Sequence, residues 1–418
     1  MRKIIFLMII LITFAAVSFC QTDTAAPKQI AAICNVYYPN SHPDVLITRF
    51  MEGFPTDENL ILPKVKIISL YIEQYPANDV GKSRALKFGV PIYKSVREAM
   101  TCGTDKLAVD GVLYIGEHGK YGYNKYNERL YPHMFYMEQI YRILDEFSSS
   151  IPVYCDKQLA YSWLDSKWIY DRSKDLKSPL MAGSTLPLGW QLTKTNIPID
   201  SEISEVAAVG NSKLNSYGFH VAELLQSIME RRKGGESGIE SIQSFKGDAF
   251  YDAAKKKLFD MKLVEAACSA IRAKKSGTMK DNAKEPEAIV VNYKDGSRGV
   301  VLVTNDYYGS GWGFAAKVNG KIQASEVFLA DPPFNHFSYL SLNIQEMFIS
   351  GKSQIPVERT LYSSAMIDFG LRSLYEGGKQ IKTTFIDVAY KPFTFEPIRP
   401  TLPNPITSPK EWSTVGQE

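Results

Sequence analysis

The sequence predicts a two-domain α/β protein, with a doubly wound parallel sheet in the first domain and an α+β second domain that contains an open, mostly antiparallel sheet. The chain has 418 residues, a length that suits two domains with a core each. Short apolar strands alternate with helical segments up to about residue 185, as in strand–helix–strand crossovers. Further along, Asp295-Gly296 and Asn319-Gly320 each separate two apolar runs, and such dipeptides predict hairpins. We therefore expect domains at residues 28–185 and 200–390, followed by a Pro-rich tail at 391–418.

Residues 1–20 have the pattern of a signal peptide. Arg2 and Lys3 precede an apolar run over residues 4–17, which is shorter than the roughly 20 residues that span a bilayer. We expect cleavage after Cys20 and an exported protein, periplasmic or secreted, with no integral membrane span after the signal is removed. Lipidation of Cys20 is an alternative, which the bulky Phe19 before it disfavours.

The net charge bears on nucleic-acid binding, and the positions of the cysteines bear on disulfide formation. The formal net charge of +3 comes without a basic stripe, so the sequence gives no indication of nucleic-acid binding. Export would place the remaining cysteines in an oxidising compartment. Cys34 and Cys155 fall on predicted strands that have another strand between them in the usual doubly wound order, which is too far for a disulfide. We expect both to be free, buried thiols.

Three strand ends of the first domain are candidates for contacts to a dinucleotide. A dinucleotide-binding fold carries G-x-G-x-x-G after its first strand, but residues 35–43 contain no glycine, so a pyrophosphate clamp starting at Asn35 is missing or rebuilt. Glu73 follows the second strand, where these folds place an acid that binds the ribose. Glu117 and His118 follow the strand at residues 110–116, at the ligand-binding edge of the sheet. These four residues are the predicted cofactor contacts.

The strand at residues 153–155 places an acid and a lysine at the same edge. The segment Asp156-Lys157-Gln158-Leu159-Ala160 resembles the Glu-Lys-Pro motif of the glucose-fructose oxidoreductase, inositol dehydrogenase and MocA (Gfo/Idh/MocA) family. Residues 82–93 resemble that family's helix, Gly-Val-Pro turn and third strand. Ser216-Tyr217-Gly218-Phe219-His220 resembles its Asp-x-Gly-x-His motif, with Gly218 and His220 matching and Ser216 in place of the acid. The resemblance covers roughly residues 30–390 and fades in the antiparallel region.

The resemblance implies a Rossmann-like first domain and an oxidoreductase that acts on a sugar or sugar-derived hydroxyl with NAD or NADP. In the family, the motif lysine and histidine meet over the substrate hydroxyl, so Lys157, His220 and Asp156 are the predicted catalytic residues. A lysine whose pKa is lowered by a partly buried cleft and a histidine that titrates near neutrality suit this proton transfer. The expected partner is a small-molecule carbohydrate, and the C-terminal sheet offers a surface for a homo-oligomer.

Two other functional classes remain open at this stage. A cofactor-free carbohydrate-binding protein on the same fold is indicated by the glycine-free loop and by a set of aromatic residues that suit the apolar faces of sugars: Tyr121, Tyr123, Tyr126, Trp163 and Trp190. A metal-assisted hydrolase or lyase could use Glu117, His118, Asp156 and His220, although their spacing lacks a metal motif.

Overall fold

The structure, a computed structural model, describes residues 26–304 and 306–401. The predicted signal peptide and residues 402–418 of the predicted tail lie outside the described residues. Two sheets dominate, one of six parallel strands and one of eight mostly antiparallel strands. This arrangement confirms the predicted fold class.

The first sheet has the strand order β5-β4-β1-β6-β7-β8, with all pairs parallel. A two-stranded hairpin, β2 and β3, lies outside it. The strands are β1 (Lys28–Cys34), β2 (Phe54–Pro55), β3 (Leu60–Ile61), β4 (Val65–Ile72), β5 (Ile92–Tyr93), β6 (Gly111–Ile115), β7 (Val153–Asp156) and β8 (Leu180–Gly183). Because the strand order reverses between β1 and β6, a crevice is expected at the carboxyl ends of these two strands.

Six helices accompany the first sheet: α1 (His42–Leu46), α2 (Arg49–Glu52), α3 (Gly81–Phe88), α4 (Val96–Thr101), α5 (His133–Glu146) and α6 (Trp163–Asp175). Serine side chains cap two of them, since Ser95 accepts a hydrogen bond from the Glu98 amide and Ser162 accepts one from the Asp165 amide. The cap at Ser162 sets the start of α6 a few residues after Lys157, so the intervening turn lies at the edge of the sheet.

The second sheet has the order β16-β11-β12-β13-β10-β14-β15-β9. Its strands are β9 (Trp190–Gln191), β10 (Ile203–Gly210), β11 (Ile239–Lys246), β12 (Glu287–Tyr293), β13 (Arg298–Val303), β14 (Trp312–Val318), β15 (Lys321–Phe328) and β16 (Ile381–Ile386). The helices after β10 are α7 (Leu214–Met229), α8 (Asp248–Lys255), α9 (Met261–Ser269), α10 (Met279–Asn282), α11 (His336–Ser350) and α12 (Val357–Tyr375).

Both predicted hairpins form, as β12–β13 and β14–β15. They do not make one continuous meander, because β10 lies between them and pairs parallel to β13 and antiparallel to β14. The segment between the domains is also more ordered than its composition indicates, since β9 pairs with β15 at the edge of the second sheet. The closing strand β16 pairs antiparallel with β11 at the other edge of the second sheet.

The helices of the second half of the chain cover both sheets. α7 and α12 pack on one face of the second sheet, and α12 also contacts α6 and β8, so it joins the two halves of the molecule. α11 packs against α1, α2 and β4, on the first sheet. α8 and α9 cover the other face of the second sheet. A homo-oligomer through this sheet stays a prediction, and these helices occupy much of the face that it would use.

Cys34 on β1 and Cys155 on β7 are separated by β6, as predicted, and both are buried free thiols. Among the described helices, none is both long and apolar enough to cross a membrane.

Candidate active site

A cavity of about 580 Å³ opens where the carboxyl edge of the first sheet faces α7 and β14. Lys157 and His118 line it from the first domain, and His220 and Trp312 line it from the second. All five histidines of the chain gather here: His42, His118, His220 and His336 line the cavity, and His133 lies behind it against Glu117. Such a concentration of imidazoles in one cavity indicates proton-transfer chemistry.

Lys157 stands at the end of β7 and forms a buried ion pair. Its φ of 59° puts it in the left-handed region, and its Nζ lies 2.8 Å from Oε2 of Glu117. Burial alone would lower the pKa of Lys157, but the Glu117 carboxylate outweighs burial and holds this pKa above its ordinary value. The expected lowering of the lysine pKa is therefore wrong, and at neutral pH Lys157 is an ammonium that donates hydrogen bonds.

Glu117 is 2% exposed, and Nε2 of His133 lies 3.8 Å from its Oε1. Burial would raise the pKa of this carboxyl, but Lys157 and His133 together hold it well below its ordinary value. Glu117 was a predicted cofactor contact. In the structure it holds the charge of Lys157, and its contact to a cofactor stays a prediction.

His220 lies in the second turn of α7, which begins two residues before Ser216, the first residue of the motif. Its Nδ1 is 2.7 Å from the hydroxyl oxygen of Ser184, the residue after β8. Burial, and then the charge of Lys157, lower the pKa of His220 well below its ordinary value. His220 is thus a neutral imidazole at physiological pH, not one that titrates near neutrality. The structure brings it into the same cavity as Lys157, as the motifs predicted.

Asp156 is paired with His42, which was not among the predicted site residues. Nδ1 of His42 lies 2.6 Å from Oδ2 of Asp156, and the carboxylate is 1% exposed. His42 is the first residue of α1, in the loop that replaces the glycine motif. The centroid of its ring is 6.5 Å from that of His220 and 5.4 Å from that of His118. The sequence did contain one indication of this role. His42 lies in the segment where a dinucleotide-binding fold has its glycine-rich phosphate-binding loop.

His118 follows β6 with a φ of 67°, and its ring packs against those of Tyr38 and His42. Burial, followed by the nearby His42, lowers the pKa of His118 to about 4. Among the predicted cofactor contacts, Glu117 and His118 therefore face the catalytic cluster.

The other two predicted cofactor contacts, Asn35 and Glu73, form hydrogen bonds with other residues of the protein. The Asn35 side chain donates a 2.9 Å hydrogen bond to the carbonyl of Gly116, across the crevice between β1 and β6. The Glu73 carboxylate accepts a hydrogen bond from the Tyr121 hydroxyl. The amide of Gln74 donates to the Asn35 carbonyl at 2.8 Å, and that of Val80 donates to the Tyr37 carbonyl at 2.8 Å. These bonds engage polar groups at the strand ends where the adenosine half of a dinucleotide would bind.

The N-terminus of α1 does not offer a phosphate site either. Asp44 in its first turn is buried, accepts from the Asn40 amide at 2.9 Å and pairs with Arg84 at 2.9 Å. The Asn40 amide is therefore occupied, whereas a pyrophosphate needs free amides at a helix start. Tyr37 also packs closely on Gly81. A Cβ atom added to Gly81 would lie 2.9 Å from the Cβ atom of Tyr37. The residues present do not fit a dinucleotide bound through its pyrophosphate.

Few of the aromatic residues expected to bind a carbohydrate are in the cavity. Trp163 and Trp190 belong to the two cores, and Tyr126 packs on Tyr375. Only Tyr123 of the predicted set lines the cavity. Two other residues, Tyr217 of α7 and Trp312 of β14, form a stacked pair on the cavity wall, with centroids 5.5 Å apart and planes 16° from parallel.

The metal-centre alternative gains no support. Within residues 26–304 and 306–401, no group of three or more His, Cys, Asp or Glu side chains is arranged to hold a metal ion. Of the four proposed ligands, Asp156 pairs with His42 and Glu117 pairs with Lys157.

Comparison with known proteins gave matches by structure only. No family model and no curated protein matches the sequence. GenD2 from gentamicin A biosynthesis, solved in complex with NAD, aligns over 86% of this chain and 97% of its own, with 10% identity and a TM-score of 0.56. An apo scyllo-inositol dehydrogenase from Lactobacillus casei aligns over 85% and 98%, with 10% identity and a TM-score of 0.53. A putative myo-inositol dehydrogenase from Sinorhizobium meliloti aligns over 85% and 99%, with 12% identity and a TM-score of 0.51. The chain therefore has the two-domain fold of the inositol dehydrogenases and related Gfo/Idh/MocA-fold oxidoreductases, as the motifs around Lys157 and His220 predicted.

Proposed function

We propose that this chain is an enzyme that binds a sugar, or another small polyhydroxylated molecule, in the cavity and acts on it by proton transfer. One observation carries the proposal: a buried ammonium, Lys157, and a neutral imidazole, His220, line the same cavity from two domains. A cavity with a few polar groups of opposed chemistry is typical of an active site.

Lys157 supplies the positive charge of the site. Its ammonium group is held by Glu117 and donates hydrogen bonds, so it stabilises negative charge that develops on a substrate oxygen. His220 supplies a neutral imidazole that accepts a hydrogen bond. Ser184 engages its Nδ1, and its Nε2 has no hydrogen-bond partner among the described residues, which leaves that atom for a substrate hydroxyl.

The aromatic pair favours a sugar-like substrate. The Tyr217 and Trp312 rings each lie 6.0 Å from the His220 ring, measured between centroids. Flat apolar surfaces beside polar groups suit a ring that presents C–H bonds on its faces and hydroxyls at its rim.

Binding to a panel of monosaccharides and inositols tests this proposal. We expect Trp312 fluorescence to change on saturation, and we expect Lys157→Met to weaken binding by about 10- to 100-fold, as for a lost hydrogen bond to a charged group. Trp168→Ala, which removes a partly exposed tryptophan of α6, is the matched control and should bind as the wild type does. If no member of the panel binds saturably, the proposed function is wrong. Unchanged binding by Lys157→Met favours a carbohydrate-binding protein without catalysis.

A dinucleotide-dependent sugar oxidoreductase is the second candidate. The fold favours it, since GenD2 of the same fold was solved with NAD. The hydrogen bonds that engage Asn35 and Glu73, and the Asn40 amide already engaged by Asp44, disfavour it. Calorimetry with NAD and NADP at millimolar concentration, with and without a bound sugar, separates the two. We expect no binding heat, and a dissociation constant below about 100 μM would replace the first candidate by the second.

A further inference from the structure

We propose that His42, held by Asp156, is the proton acceptor for a carbon-bound proton in this cavity, so that the chain enolises a hydroxy ketone or hydroxy aldehyde without a cofactor. This proposal rests on the proposed function, because it names the reaction class and a further catalytic residue of the same site.

The geometry of the pair is that of an oriented base. Asp156 is 1% exposed, and its shortest side-chain contact is the 2.6 Å one to Nδ1 of His42. Its other oxygen lies 3.4 Å from the Tyr154 hydroxyl. A carboxylate on Nδ1 fixes the proton on that nitrogen and leaves the Nε2 lone pair free, and it stabilises the imidazolium that forms when Nε2 accepts a proton. His42 lines the cavity, and in the described parts of the chain its Nε2 has no hydrogen-bond partner.

No other group in the cavity combines a free lone pair with a carboxylate partner. Lys157 is already protonated. The pKa of His118 is lowered to about 4 and that of His336 to about 3, chiefly by burial, so both are weak bases. The Nδ1 of His220 meets a serine hydroxyl, which stabilises an imidazolium less than a carboxylate does. Among the imidazoles that line the cavity in the described parts of the chain, His42 is therefore the one whose Nδ1 is held by a carboxylate.

The proposed step is balanced without an oxidant or reductant. The substrate carbonyl oxygen accepts a hydrogen bond from the Lys157 ammonium, and Nε2 of His42 takes a proton from the adjacent carbon. The electron pair of the C–H bond forms the carbon–carbon double bond, and the carbonyl π pair moves to the oxygen, where Lys157 stabilises the enolate. Return of the proton to the same carbon regenerates the carbonyl compound. Since no hydride leaves, the step agrees with a chain whose first helix does not fit a pyrophosphate.

Deuterium exchange measures this step directly. Dihydroxyacetone and 2-keto-myo-inositol are incubated in D₂O with the full chain, and loss of the C–H proton signal next to the carbonyl is followed by NMR. We expect the wild type to exceed the buffer rate by at least about tenfold, and His42→Gln and Asp156→Asn to lower the enzymatic rate by about 100-fold or more. Glu146→Gln, which removes a carboxylate from an exposed ion pair with Arg97, is the matched control and should exchange at the wild-type rate.

Two further measurements separate catalysis from folding. Calorimetry with the same ketones should show that His42→Gln binds within about threefold of the wild type, so that the loss falls on the rate and not on affinity. Nitrogen-15 NMR of the His42 ring should show the proton on Nδ1 in the wild type and a mixture of tautomers in Asp156→Asn, which a purely structural Asp156 would not produce.

Three outcomes overturn the proposal. The first is wild-type exchange rates in His42→Gln, and the second is wild-type exchange no faster than buffer although a ketone binds. Both leave the proposed function standing, since the cavity still binds its ligand. The third, failure of either ketone or any sugar to bind, removes the proposed function and the His42 assignment with it.

Discussion

Glu117→Gln should destabilise the protein by about 2–3 kcal/mol, because it leaves the Lys157 ammonium buried without a counter-charge. The Lys157 side chain is 15% exposed and that of Glu117 is 2% exposed, with 2.8 Å between Nζ and Oε2. Removal of one partner of a buried pair costs about 3–5 kcal/mol, and the lower figure applies here because the glutamine carbonyl still accepts a hydrogen bond.

The Glu117–Lys157 pair of the wild type contributes to the free energy of unfolding only within a defined pH range. The pKa of Glu117 is held below its ordinary 4.5, so its contribution is present above pH 4.5 and is lost as pH falls through the folded-state pKa. The pKa of Lys157 is held above its ordinary 10.5, so its contribution is present below pH 10.5 and is lost as pH rises through the folded-state pKa. The contribution of the wild-type pair to stability should therefore be constant between these limits.

Urea unfolding of a double-mutant cycle measures the effect. Lys157→Met combined with Glu117→Gln should cost less than the sum of the single variants, with a coupling free energy of about 2 kcal/mol, because the double variant buries no unpaired charge. Glu146→Gln, in the exposed pair with Arg97, should leave stability unchanged. Additive single effects within about 0.5 kcal/mol would show that Glu117 does not hold the charge of Lys157, and the role given to Lys157 would then be wrong.

Three further predictions concern other parts of the chain. Burial raises the pKa of Glu223 to about 7, so its contribution to stability is present below pH 4.5 and is lost as pH rises to about 7. Glu223→Gln should remove roughly 3 kcal/mol of that pH dependence in urea unfolding, and an unchanged slope would contradict the assignment. Gly183→Ala should lower the thermal midpoint, since φ is 123° and the new Cβ would lie 2.6 Å from Oε2 of Glu223 and 2.9 Å from Oγ1 of Thr360; an unchanged midpoint would show that this turn tolerates a side chain. We also propose that the chain is exported, so mass spectrometry of the mature protein should find Gln21 at its N-terminus, and a retained Arg2 would refute this.

The sequence located much of the fold because the deciding patterns are local. The hairpin dipeptides at Asp295 and Asn319 and the strand that ends at Asp156 each occupy a few neighbouring residues, and short-range backbone preferences set their structure. The motif histidine His220 was found in the same way. The position of β10 between the two hairpins was not, because strand order depends on which distant strands pair.

The charge states of the site depended on contacts that no local pattern records. The pKa of Lys157 is set by Glu117, which lies 40 positions away in sequence. Burial, and then the charge of Lys157, lower the pKa of His220. Trp163 and Trp190 show the same limit, since an aromatic residue in a sequence is compatible with both a core and a binding surface. The structure buries these two and leaves Trp312 on the cavity wall.

One short segment, which ends in α1, both lacks the glycine-rich phosphate-binding loop and supplies His42, the proposed base. In a dinucleotide-binding fold, the start of the first helix presents free amides to a pyrophosphate. Here the first turn of α1 presents His42 to Asp156 and Asp44 to the Asn40 amide. One side chain therefore enters the cavity as a base, and the other occupies an amide that a phosphate would need. Restoring glycines in residues 35–41 alone would therefore not create a cofactor site, because Asp44 would still occupy the amide of residue 40 and the Tyr121 hydroxyl would still occupy the Glu73 carboxylate.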